Sequence, residues 1–177
     1  MDEASALIQE IQDYVGRDFS KSVKLRFPRG YLRTAEEARS RVKFLANRTL
    51  RSNIAYTMQL ADVQHWILVR TDLSGMAKEM VIKLQMFLLG SIVESITKAH
   101  LHGCCGGNFC RRTKYLCDQG VIDAALQADI DWLWGVRNNM HLFQLDSTEW
   151  SSTEYTIANL NKAIRAFRKL LAKLGGS

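Results

Sequence analysis

The chain is predicted to be all-α. Three observations carry this reading: apolar residues recur at three- and four-residue steps through most of its 177 residues, a single proline interrupts them, and one short segment alone alternates apolar with charged residues. Forty-seven per cent hydrophobic residues against 24 per cent charged is the balance of a chain that folds around a core. The length suits one domain, or one core with an appended arm.

Residues 4–15 place Ala4, Leu7, Ile8, Ile11, Tyr14 and Val15 at the spacing of a short amphipathic helix. From Lys21 to Pro28, Val23, Leu25 and Phe27 alternate with Lys24 and Arg26, which reads as an extended connector. Thr34-Ala35-Glu36-Glu37 is a capping-box sequence that opens a helix expected to reach about residue 48. The next helix, over 52–70, puts Ile54, Met58, Ala61, His65 and Leu68 on one face, with His65 read as a satisfied boundary histidine. Asp72-Leu73-Ser74-Gly75 breaks the pattern, with Ser74 expected as an N-cap.

The helix from 76 to about residue 101 is the most apolar, with Met76, Met80, Leu84, Phe87, Leu88, Ile92 and Ile96, and is expected to be central and packed from several sides. Lys83, Gln85 and Glu94 interrupt it, so no uninterrupted apolar run reaches the roughly 20 residues of a membrane span. A short helix through Phe109, Tyr115 and Leu116 is expected to carry Cys110 and Cys117 on its apolar side and to close at Gly120. A helix over 121–143 follows. The polar segment Asp146 to Ser151 leads to a second capping-box sequence, Ser151-Ser152-Thr153-Glu154, and a last helix with Ile157, Leu160, Ile164, Phe167 and Leu171 in register.

Charge is unevenly distributed. The net charge is +6, yet ten cations stand against only Glu36 and Glu37 between residues 21 and 51, a local charge of +8. This marks residues 1–75 as a basic N-terminal helical arm and 76–177 as the bundle. Arg26, Arg29, Arg33, Arg41 and Lys43 are the candidate phosphate contacts of an RNA-binding surface; the alternative is a solvated helix face. Aromatic residues are sparse there, so base-specific reading is not indicated. His100, His102, Cys104, Cys105, Cys110 and Cys117 cluster within eighteen residues, but no Cys-x-x-Cys pair occurs among them. No metal site and no cofactor are expected. The acidic N-terminus lacks the cationic and apolar regions of a secretory signal, and the unpatterned thiols suit a reducing cytoplasm. No phosphate-binding loop, dinucleotide fingerprint or nucleophile elbow is present.

Polar chemistry concentrates in Leu133-Trp134-Gly135-Val136-Arg137-Asn138-Asn139-Met140-His141-Leu142. On one helix Leu126, Ile130, Leu133, Arg137 and His141 share a face, so an apolar stripe ends in a guanidinium and an imidazole. Asn138 lies three residues before His141 and can sit beside it. Helix termini also welcome Arg and His through the backbone dipole, so spacing alone leaves a structural role open. Glu94 in the apolar helix needs a cation if buried, and Arg137 is the candidate. A simple hairpin turning near residue 111 would instead set Arg137 level with about residue 85, closer to Glu79; both carboxylates stay open.

Phe87-Leu88-Leu89-Gly90-Ser91-Ile92-Val93-Glu94-Ser95-Ile96, followed by the helix ending in Arg137-Asn138-Asn139-Met140-His141, resembles the HEPN superfamily of small all-α domains over roughly residues 76–172. The family mark is an Arg, usually followed by a polar residue, with a His a few residues on. The likeness departs in one respect: three residues separate Arg137 from His141, fewer than is usual in the family. It implies a helical bundle built on a long antiparallel helix pair, working as a homodimer through the motif helices. It further implies metal-independent endoribonuclease activity in a toxin, antiphage or RNA-processing setting, with an antitoxin or neighbouring protein as a possible regulator and no membrane partner. Arg137, His141, Asn138 and Glu94 would be the catalytic set. The family also holds members that only bind RNA or protein.

Overall fold

Helix ends are fixed by side chains that accept the free backbone amides of the first turn, and these capping residues set the element order of the computed structural model. It describes residues 2–16, 20, 27, 30–139 and 154–175. Its helices are α1 (Glu3–Val15), α2 (Ala35–Ser40), α3 (Arg48–Arg70), α4 (Gly75–His100), α5 (Phe109–Asp118), α6 (Ala124–Asn138) and α7 (Ile157–Gly175), with no strand among the described residues. The all-α expectation holds.

The chain divides into two units, Met1–Tyr31 and Leu32–Ser177. The first contains α1, capped by Asp2, whose carboxylate accepts the Ser5 amide at 2.7 Å. It buries none of its residues, and Leu7, Ile8 and Ile11 are exposed. The extended connector predicted over Lys21 to Pro28 falls outside the described residues apart from Phe27.

The second unit holds α2 to α7 around one core. The boundary therefore lies at residue 31/32, not near residue 75: Ala38 and Val42 from the α2 region and Ile54, Ala55 and Met58 from α3 share the core of α4, α6 and α7. The Thr34 capping box forms as expected, with Thr34 Oγ1 accepting the Glu37 amide and Glu37 accepting that of Thr34. The Thr34 amide and then its hydroxyl, both donating to the Glu37 carboxylate, hold that carboxyl below its ordinary range. The helix it opens is shorter than predicted. After Ser40 the backbone tightens into bonds spanning three residues, Val42 to Arg39 and Lys43 to Ser40, and Asn47 restarts the helix by accepting the Leu50 amide at 2.9 Å.

Helix α4 runs through the centre with Ile82, Met86, Leu89, Ile92, Val93 and Ile96 buried. It is long and apolar enough to cross a membrane by length and composition, and 56% of its most apolar window is buried in the core. Its burial is not all-round: Leu84 and Phe87 stand 47% and 36% exposed. Ser74 occupies the N-cap position but makes no side-chain capping bond.

Helix α5 ends at Gly120 (φ +69°), where the Val121 amide donates to the Leu116 carbonyl across a left-handed turn. Phe109 and Leu116 are buried on its apolar side and Cys117 packs against the core, whereas Cys110 is exposed. Asp123 accepts the Leu126 amide and starts α6 three residues later than predicted. Thr156, accepting the Asn159 amide, caps α7; residues 151–153 of the predicted capping box lie outside the described residues. Leu160, Phe167, Leu170, Leu171 and Leu174 of α7 close the core. Asp131 accepts the hydroxyl of buried Thr113 at 2.7 Å, joining α6 to α5, and Lys162 meets Asp129 at 3.3 Å, joining α7 to α6.

Candidate functional site

A glycine within a helix lets a neighbouring helix approach its backbone, and Gly90 does so for α4 and α6. A methyl group there would lie 2.8 Å from Arg137 Cβ and 3.3 Å from the Leu133 carbonyl oxygen. The stripe predicted for α6 is present, with Leu126, Ile130 and Leu133 buried and Arg137 half-buried at its end. Side chains lean toward the N-terminus of their own helix. Arg137 accordingly reaches back along α6 and forward along α4 to Glu94, the geometry of an antiparallel pair.

The Arg137 Nη2 to Glu94 Oε2 distance is 3.2 Å, and Arg137 Nη1 donates to Asn138 Oδ1 at 2.7 Å. The pair settles the choice of carboxylate in favour of Glu94. Gly90, rather than residue 85, stands level with Arg137 because α5 occupies the connection; the five-residue shift is about 7.5 Å at 1.5 Å per residue. The guanidinium carbon also lies 5.8 Å from the centre of the Phe87 ring. Phe87, Gly90 and Glu94 are spaced by three and four, so one face of α4 carries all three contacts.

Neither member of the ion pair is sealed: the Arg137 side chain is 30% exposed and that of Glu94 31%. A guanidinium has five N–H donors; the Asn138 oxygen takes one and Glu94 pairs with a second nitrogen, so several remain. One of these, on Nε, is buried with no partner among the described residues. Beside the pair, Met80, Lys83, Leu84 and Phe87 line an open groove of about 260 Å³. Burial pushes the Lys83 ammonium below its ordinary range, and it lies 5.7 Å from the Tyr155 ring centre. A groove with an apolar floor and a lysine, one wall of which is the Phe87 ring that also faces the Arg137 guanidinium, can hold a phosphate ester by its charge and an adjoining ring by its apolar surface.

His141 lies outside the described residues, as do Arg26 and Arg29. Arg33 is held by Asp62, whose carboxylate takes both its Nε, at 2.8 Å, and its Nη2, so it does not stand free for phosphate. Arg41 and Lys43 line an open cleft of about 390 Å³ with Arg168. A second cleft of about 390 Å³ is lined by Arg39, Lys43, Arg48 and Arg51 against Glu36. The basic segment thus becomes a cationic face on the α2, α3 and α7 side. Arg39, Arg48 and Arg51 belong to the basic stretch already counted, whereas Arg168, supplied by α7, was not legible from that stretch of chain.

Among the described residues no three His, Cys, Asp or Glu side chains come together as a metal cage requires, and the four cysteines are unpaired thiols. His65 is half-buried, as a boundary histidine should be, but its Nδ1 has no partner among the described residues. Compared with protein-family models, curated proteins and solved structures, the chain matches none.

Proposed function

We propose that the protein is an endoribonuclease of the HEPN type, acting on RNA through Arg137 and His141 without a metal ion, as a homodimer in the cytoplasm. One observation carries the reading. The arginine of the Arg-Asn-x-x-His sequence is half-exposed and held by Glu94 and Asn138 at the end of an otherwise buried stripe. A cation kept there with donors to spare suits a ligand that is itself an anion.

In this reading His141 accepts the proton of a ribose 2′-hydroxyl, whose oxygen attacks the neighbouring phosphorus. The bond from phosphorus to the 5′-oxygen breaks, and that oxygen takes a proton from water. The products are a 2′,3′-cyclic phosphate and a 5′-hydroxyl. Arg137 stabilises the charge that builds on the phosphoryl oxygens. Glu94 and Asn138 are positioning residues that fix its fork.

Labelled single-stranded RNA incubated with the purified full chain in EDTA should yield those two ends. Arg137→Ala should slow cleavage by about 10²-fold or more, the scale of removing one such stabilising group, and His141→Ala should do likewise with the fold intact. DNA should resist, having no 2′-hydroxyl. Unchanged cleavage in both variants, or none by the wild type, would overturn the proposal.

One observation favours a second reading, a non-catalytic module that binds RNA or protein. Glu94 already neutralises Arg137, which suits a structural pair as well as a reactive one. That reading expects salt-dependent RNA binding with no turnover.

A further inference from the structure

The cationic face contains a second feature, separate from Arg137. Where α3, α4 and α7 meet the segments flanking α2, Arg33, Arg41, Asp62, His65, Gln85 and Arg168 line a recessed cavity of about 60 Å³, closed on its apolar side by Leu89 and Phe167. Gln85 and Leu89 lie nine and five residues before Glu94, which at 100° per residue puts them about 180° and 140° around α4 from it. The cavity and the Arg137 site therefore open on different faces of that helix.

Charge within the cavity is unbalanced. Asp62 neutralises Arg33 in a two-point ion pair, whereas no carboxylate among the described residues lies within ion-pair distance of Arg41 or Arg168. The wall carries three guanidinium groups and one carboxylate, a surplus of two positive charges. Like charges are gathered here without a protein anion to separate them, an arrangement that costs stability unless an anion enters. The surroundings are also short of partners. Gln85 is 3% exposed and donates to the Ala61 carbonyl at 3.3 Å, but its Oε1 has no partner, and neither does His65 Nδ1. Buried polar atoms left without partners are costly to a fold.

We propose that this cavity binds a phosphate monoester group. Its surplus of two charges matches the dianion, and guanidinium forks match the phosphoryl oxygens. Its volume, several times the roughly 10–15 Å³ that a single water needs, suits a compact phosphoryl group. The rest of the ligand must project into the adjoining cleft lined by Arg41, Lys43 and Arg168. The 5′-phosphate of an RNA strand and a free phosphate share this chemistry. The inference does not depend on the nuclease reading, since Arg137 takes no part in it.

The test is calorimetric titration of the full chain with inorganic phosphate, and with one RNA oligomer carrying either a 5′-phosphate or a 5′-hydroxyl. Phosphate should bind saturably at one site, and Arg41→Gln with Arg168→Gln should weaken it at least tenfold, whereas Arg137→Ala should leave it unchanged. Tighter binding of the 5′-phosphorylated oligomer, lost in the same double variant, identifies an RNA end as the source; equal binding of the two oligomers identifies a free phosphate. A wild type that binds no phosphate saturably, or a folded double variant that binds it as tightly as the wild type, would overturn the proposal. Failure of cleavage in the preceding test would not touch it.

Discussion

Replacing Gly90 by alanine tests the contact on which the Arg137 site is built. In a helix interior the change should by itself stabilise by about 1 kcal/mol, the difference in propensity between the two residues. Here the new methyl would stand 2.8 Å from Arg137 Cβ, 3.2 Å from Arg137 Cγ and 3.3 Å from the Leu133 carbonyl oxygen. Two of those atoms lie at the base of a side chain and the third is backbone, so none can swing aside. Overpacking of this kind costs about 1–3 kcal/mol. Gly135, on α6, is the internal control: a Cβ there meets nothing within 4 Å, so Gly135→Ala should show the propensity gain alone, reduced by its place in the last turn. The two variants should differ by about 1–3 kcal/mol, with Gly90→Ala the less stable, or roughly 2–12 °C in Tm for a domain of this size. Thermal and urea denaturation of both variants beside the wild type would measure it. A Gly90→Ala protein stabilised as much as Gly135→Ala would refute the close approach of α4 and α6, and with it the placement of Arg137 against Glu94.

Gly120→Ala should destabilise by about 1 kcal/mol in the same assay, because the residue holds φ at +69° in the turn that ends α5 and a side chain is strained there. His65 should give stability a pH dependence: burial first, and then the Arg168 charge, push its imidazole below the ordinary value of 6.5, with Asp62 opposing. The unfolded chain therefore binds the proton more readily, so the stability associated with neutral His65 is complete above about pH 6.5 and is lost as pH falls toward the lower folded value. Urea midpoints measured between pH 7.5 and 5.5 should fall less steeply in His65→Gln than in the wild type, and parallel slopes would contradict the assignment.

Periodicity made the helices legible, and the reason is visible in the residues it found. Leu126, Ile130 and Leu133 are buried because a 3.6-residue repeat puts them on one side, and the same repeat delivers Arg137 to the end of that side. Periodicity is blind to what happens between helices. The α2 helix stops at Ser40 although Val42 and Leu45 continue an apolar pattern, since tight turns bury those two residues as well as a helix would. The hairpin register was beyond reach because α5 lies inside the connection, and so Glu79 could not be set aside until Glu94 was seen at 3.2 Å. Leu84 and Phe87 belong to an apolar run yet stand at the surface, since composition does not say which side of a helix lacks a neighbour. Gly90 was the overlooked signal: a glycine inside an apolar helix marks a place where something approaches the backbone.

The two arginine sites differ in how far their charges are fixed, and that difference argues for different roles. Arg137 is held on two sides, by Glu94 and by Asn138, with a ring beside its plane and a glycine beneath its stem. A fork positioned before any ligand arrives loses little freedom on binding and can oppose charge that appears only during a reaction. Its formal charge is offset by Glu94, so it is poorly suited to capturing an anion at long range. Arg41 and Arg168 present the opposite case, with full charge, no carboxylate in reach and partial exposure to water. Unpaired cations on flexible stems attract and hold a polyanion but do not orient it finely. If the proposed RNA cleavage is the activity, capture by the α2, α3 and α7 face and chemistry at the α4 and α6 seam are separable, and substitutions on the two faces should act on affinity and on turnover independently.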